Sequence, residues 1–396
     1  MAEQESGNKE TARAPWSHTA MAATNQFKFL LLILVPIVFI GLAVPFFVLG
    51  AGSAESIEQL RHSYPKVYSA EPPGDTRFAR VAEDVPLFRH VDSGELYVVV
   101  SRLADFRART IWLAACLIYL AVALASIAIG GWIIWRNLRD WRIAGILVLI
   151  AVQLYFSWHL AEQLHTARTA GPPSIENPEN VHIFGFHLIF DPLAHLDAPF
   201  QAYAWTLHTA TIFVGGTMMW TLILAAASGV ATPKSKSAIT PELLAGQIQR
   251  GQVFLYTACA AMTATILYES IWNRWPVELL PAGGLRDELA GYVTAQVAAI
   301  GVAASMSLLT VTLPAAMIHR HRARRLALDH VAADAGPPSM RETPSPTHAD
   351  AIQDFLIRNR LTIPIVGQLQ RFGAMLLPAL VSPLVSGIAA LTGSGA

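Results

Sequence analysis

Residues Thr110–Trp135 read TIWLAACLIYLAVALASIAIGGWIIW. The run holds no Asp, Glu, Lys or Arg. It exceeds the roughly 20 mostly apolar residues that a helix needs to cross a bilayer. In hydrocarbon every backbone N–H and C=O must bond within its own segment, so such a run is expected to be a transmembrane helix. Five more segments meet the same test: Leu30–Gly50, Ile143–Leu164, Ala202–Ala227, Val253–Trp272 and Ala290–Ile318. A very apolar soluble core would not produce so many long runs with so little charge.

Composition agrees. Of 396 residues 53% are hydrophobic and 14% charged, against about 25% charged in an ordinary soluble protein. Lys and Arg together number 28, as do Asp and Glu. This balance excludes a disordered chain, a disulfide-stapled secreted domain and a basic nucleic-acid binder. The two cysteines, Cys116 and Cys259, lie in apolar runs and read as small buried hydrophobes. The fold class expected is an all-α integral membrane protein, a bundle of six transmembrane helices with an optional seventh and a small outer-face segment.

Orientation follows from basic residues in short loops, which favour the cytoplasm. Arg136, Arg139 and Arg142 follow the second span; Lys234, Lys236 and Arg250 follow the fourth; Arg320, Arg322, Arg324 and Arg325 follow the sixth. The opposite short loops hold Arg168, Arg274 and Arg286. The N-terminus is therefore expected in the cytoplasm and the protein in a cytoplasmic (inner) membrane. Arg102, Arg107 and Arg109 oppose this, but they sit in a long loop of balanced charge, which weighs less. The first span follows an acidic lead with Glu3, Glu5 and Glu10. That fits an uncleaved anchor better than a cleaved signal, whose one candidate site is Ala51–Ala54.

The chain divides into a cytoplasmic tail (1–27), the first span (28–50), an outer-face segment (51–109), a five-helix region (110–318), a basic stop with a Pro/Ser linker (319–350) and a last segment (351–396). In the outer segment VPLFRHVDSGELYVVVSRL places a DSG turn between apolar stretches, the pattern of a hairpin. Asp350–Arg360 reads as a short amphipathic helix with Ile352, Phe355 and Leu356 on one face. Phe372–Leu391 is uncharged and long enough to span, yet contains Pro378 and Pro383. A seventh span and a re-entrant or interfacial helix both fit it. Trp112, Trp132, Trp135, Trp205, Trp272 and Trp275 lie near span ends and are expected at the lipid–water interface.

Polar residues at apolar depth mark function in membrane proteins. Six of the 13 histidines fall between positions 159 and 208. His159 with Glu162, and His208, sit toward the outer ends of consecutive spans. Glu269 and Tyr268 end the fifth span at similar depth, and Tyr155 and Gln296 complete a converging pocket. Imidazoles on two helices can ligate haem iron; two histidines with carboxylates can hold a transition metal. A Glu–His pair can also relay protons, and such residues often only hydrogen-bond a neighbouring helix. The outer loop offers a second set, His182, His187, Asp191 and His195, whose spacing matches no strong ligand motif. The leading expectation is a metal- or haem-binding membrane redox or metal-handling protein. The alternatives are a small-solute or ion transporter using Thr209, Thr211, Thr217, Thr294, Ser305 and Ser307, and a sensor or assembly factor binding a protein partner through 51–109 or the tail. HRHRARR after the sixth span reads as a lipid-headgroup cluster.

Overall fold

The computed structural model describes residues 67–69, 78–82, 85–92, 96–99, 102–137, 155, 198–230, 239–280, 283–334, 346–362 and 365–393. Four short strands come first: β1 (Val67–Ser69), β2 (Phe78–Ala82), β3 (Val85–His90) and β4 (Leu96–Val99). Six helices follow: α1 (Arg102–Asn137), α2 (Ala198–Gly229), α3 (Pro241–Leu279), α4 (Gly284–Asp334), α5 (Pro346–Arg358) and α6 (Ile365–Gly393). The spans expected at 30–50 and 143–164 lie outside the described residues.

Among the described residues α1, α2, α3 and α4 are long and apolar enough to cross a membrane. That is a membrane protein, nearly all helical; a bundle of six is not established by it. Each of these helices overruns its apolar stretch. α1 begins at Arg102, and α3 begins at Pro241, capped by the Thr240 hydroxyl, which accepts from the Leu243 N–H. A Pro at the first helical position needs no N–H partner, so the start is sharp. α4 has 51 residues, about 75 Å at the usual rise. It therefore continues through HRHRARR rather than stopping there.

The outer segment is not merely one hairpin. β3 and β4 pair antiparallel with Phe88 opposite Tyr97, as the DSG turn implies. β2 adds antiparallel to β3, and β1 adds parallel to β4, giving the order β1-β4-β3-β2. The expectation of an all-α chain is corrected to this extent. β1 and β2, three and five residues long, carry too short a pattern to announce themselves, and parallel pairing leaves no local turn to read.

The helix directions are set by contacts at both ends. Near their starts, Trp112 of α1 and Phe200 of α2 meet edge to face, 6.4 Å between ring centroids. Near their ends, the Asn137 side-chain amide donates to the Ser228 hydroxyl, 3.2 Å. α1 and α2 therefore run parallel. α3 runs against them, bringing Trp275 beside Trp112. α4 returns parallel to α2, where the Arg322 guanidinium donates to the Val230 carbonyl, 2.8 Å. α6 is one helix through Pro378 and packs antiparallel on α4. Gly301 permits that contact: a Cβ there would lie 2.9 Å from the Pro378 carbonyl oxygen. Thr312 bonds the Met375 sulfur, and the Ala379 N–H donates to the Ser305 hydroxyl.

Apolar residues lie on both sides of these helices. Trp112, Ala123 and Ile266 are fully enclosed, while Leu117, Ile118, Leu124, Leu313 and Met317 are exposed. An outward face without polar cover suits lipid and not water. Lipid also removes most of the hydrophobic drive for helix association, leaving close packing and interhelical hydrogen bonds to hold the bundle.

Candidate functional site

The aromatic ends of α1, α2 and α3 build a column. At the end nearest the start of α1, Asp105 and Arg109, one turn apart, form an ion pair, 2.6 Å. The Arg109 guanidinium lies over the Phe200 ring, 4.3 Å from its centroid, a cation–π contact. Below it Trp112 packs against Trp272 (5.5 Å) and Trp275 (5.4 Å). The sequence places these three indoles at the membrane interface; the structure corrects this, since they are 0%, 4% and 1% exposed. Trp272 and Trp275 are i and i+3 on α3, so both turn inward together. Trp132 and Trp135, on the other end of α1, are exposed.

His208 lies beneath the indoles, 4% exposed. Its ring stacks on Trp272, with centroids 4.1 Å apart and planes 11° from parallel. Its Nδ1 is 2.7 Å from the Tyr268 hydroxyl. Thr211, one turn along α2, donates to the His208 carbonyl at 2.7 Å and lies 3.0 Å from the Tyr268 oxygen. Tyr119 of α1 stacks on Tyr268, 5.1 Å between centroids, and its hydroxyl reaches the Thr211 carbonyl at 3.4 Å. The Tyr119 hydroxyl sits in the space where a Cβ on Gly215 would be, so a larger residue there would displace that hydroxyl. Three helices thus converge on one imidazole–phenol pair.

Of the residues singled out by sequence, His208 and Tyr268 come together directly. Glu269 follows Tyr268 but is only half-buried. Its backbone carbonyl accepts from the Asn273 amide, 2.8 Å, and its carboxylate is 3.5 Å from the same nitrogen. Gln296 is half-buried on α4, and Tyr155 is exposed. His159, Glu162, His182, His187, Asp191 and His195 lie outside the described residues. Among the described residues no group of three His, Cys, Asp or Glu side chains could hold a metal ion.

Thr211, Trp272 and Tyr119 were not read as members of this centre. Two had a local signal: Thr211 is i+3 from His208, and Trp272 is i+4 from Tyr268, each on the same helix face as its partner. Tyr119 had none, because only packing brings α1 to α3. The hydroxyls considered as a solute path are engaged separately. Thr217 and Ser307 donate to carbonyls of their own helices, and Ser305 accepts from α6. No known protein family, characterised protein or solved structure matches this chain.

Proposed function

We propose that this chain is a redox protein of a cytoplasmic membrane, with the imidazole–phenol pair of His208 and Tyr268 at its centre. One observation carries the reading. Trp275, Trp112, Trp272, His208, Tyr268 and Tyr119 form an unbroken series of rings, with neighbouring centroids 4.1 to 6.1 Å apart. Indoles and phenols are among the protein side chains most readily oxidised by one electron. Removing an electron from Tyr268 makes its hydroxyl strongly acidic, and the His208 Nδ1 at 2.7 Å is placed to accept that proton. The electron leaves along the rings, the proton moves to the imidazole, and reduction returns both. The electron acceptor would be a haem or transition-metal centre, the cofactor class that His159 and Glu162, with Glu269, would ligate.

The topology supports the membrane setting. α1 and α2 run parallel, and the span read from the sequence at Ile143–Leu164 would supply the return crossing between them. The basic residues of the short loops favour an N-terminus in the cytoplasm, which would set the aromatic column toward the outside. α6, antiparallel to α4, would cross as a further span and bring the C-terminus outside.

The test is the full chain purified in detergent, with its absorption spectrum and metal content. A haem or stoichiometric metal is expected. One-electron oxidation followed by electron paramagnetic resonance should give a tyrosyl signal that Tyr268→Phe removes and His208→Asn broadens or shortens in lifetime. A protein with no chromophore and no metal, or a radical signal unchanged in Tyr268→Phe, would sink the reading.

A further inference from the structure

The basic run His319-Arg320-His321-Arg322-Ala323-Arg324-Arg325 divides in two on α4. Arg320, His321, Arg324 and Arg325 are exposed. His319 is 9% exposed and Arg322 is half-buried. They are i and i+3, so both turn to one side of the helix. That side meets α2, through Ala315 and Ile318 against Ala227 and Val230, and α6.

The α4–α6 register brings a third cation in. Gly301 and Ser305 lie against Pro378 and Ala379, and Thr312 against Met375. Continuing this antiparallel register sets Arg371 opposite His319. Arg322 and Arg371 both act electrostatically on the His319 ring, as their proximity requires. Among the described residues, no carboxylate pairs with any of the three. Each also keeps a buried nitrogen without a protein hydrogen-bond partner: His319 Nδ1, Arg322 Nη1 and Arg371 Nη2. One Arg322 nitrogen is already held by the Val230 carbonyl, which fixes the direction of the fork.

Concentrating like charge and orphaned donors in a partly dry place is costly unless an anion completes it. Guanidinium forks match the oxygens of a phosphate group, and basic pockets between helices at the cytoplasmic end of a bundle suit phosphate-bearing headgroups. We propose that His319 and Arg322 of α4, with Arg371 of α6, form a binding site for a phosphate group. The exposed arginines of the same run would add diffuse attraction to an anionic surface. The three inward groups would provide the specific contacts. Occupancy would tie α6 to α4 beyond the contact of Thr312 with Met375. The site is independent of the redox centre, which lies at the opposite end of α2 and α3.

The phosphate could belong to a lipid or be free, and the experiment separates the two. The full chain is placed in nanodiscs of phosphatidylcholine alone or with phosphatidylglycerol, in phosphate-free buffer. In the neutral nanodiscs inorganic phosphate is titrated separately. Thermal unfolding and native mass spectrometry are read in each arm. We expect a raised transition and a retained phosphatidylglycerol adduct in the lipid arm, or a saturable rise in the free-phosphate arm. Arg322→Gln and Arg371→Gln should each weaken the response about tenfold, the loss of one charge-assisted hydrogen bond. Arg324→Gln and Arg325→Gln should leave it within a factor of two or so. An equal loss from the exposed pair would mean diffuse surface attraction and overturn the site. So would the absence of any response in the unsubstituted protein, a measurement that does not depend on the variants folding.

Discussion

At Tyr268 three contacts meet: a 2.7 Å hydrogen bond to His208, a 3.0 Å approach of Thr211 and a stacked ring from Tyr119. Each comes from a different position on α1 or α2. An interhelical hydrogen bond in a membrane is worth about 0.6 kcal/mol on average, with values up to about 1.7. Tyr268→Phe should therefore leave the fold intact while removing the chemistry, which makes it the discriminating variant for the redox reading. Trp112 is different in kind. It is fully enclosed and touches Phe200, Trp272 and Trp275. Trp112→Ala should cost about 3–5 kcal/mol, the range for truncating a buried aromatic ring. Detergent-resistant thermal unfolding would register it, and a loss below about 1 kcal/mol would mean the column is loosely packed.

Among the elements, α5 shows how a short helix is held. Its Phe355 and Leu356, with Leu361 just beyond it, close over Leu244 and Ile248 of α3 and Ala323 of α4. His330 of α4 lies against the Phe355 ring, 4.6 Å between centroids. The helix ends where Arg360 adopts φ 56°. The Arg360 N–H bonds the Ile357 carbonyl, and the Leu361 N–H reaches back to Leu356. This is the left-handed helix stop that glycine usually occupies. An arginine there carries the steric cost of its Cβ, about 1 kcal/mol or slightly more. Arg360→Gly should therefore stabilise the α5 cap by about 0.5–1 kcal/mol, read as slower amide exchange over 355–361. Faster exchange would show that the Arg360 side chain holds the segment in place.

For the whole molecule, the helix directions make a testable topology. α4 begins at the end shared with the aromatic column and finishes at the end shared with Asn137 and Ser228. With a single-cysteine probe at exposed Asp287, labelling by an impermeant maleimide should occur from outside intact cells. At exposed Arg324 it should occur only after permeabilisation. Cys116 and Cys259 are buried, so they should contribute little background. A reporter placed after Gly393 should report the outside if α6 crosses, and the cytoplasm if it does not. Labelling in the reverse sense at 287 and 324 would invert the orientation, although the bundle would be unchanged.

Much of this was legible in the amino-acid sequence because membrane crossing is a local requirement. Thr110–Trp135 must satisfy its backbone within itself whatever its neighbours are, so length and apolarity suffice to mark α1 as a helix; the same holds for α2, α3 and α4. His208 and Tyr268 were visible for a related reason: a polar group in an apolar run has to find a partner. Which partner it finds is not local. The sequence put Trp112, Trp272 and Trp275 at the interface, where indoles are stable, because nothing in their own segments says that three helices converge on them. The hairpin of β3 and β4 was legible from its DSG turn; β1 and β2 were hidden because they are short and one of their pairings is parallel. The division of HRHRARR into inward and outward cations depends on which face of α4 meets α2 and α6. Sequence alone therefore marked α1, α2, α3 and α4 as apolar helices of membrane-crossing length. Only the tertiary structure decided which faces meet, because the same apolar surface can serve lipid or another helix, and packing alone separates the two.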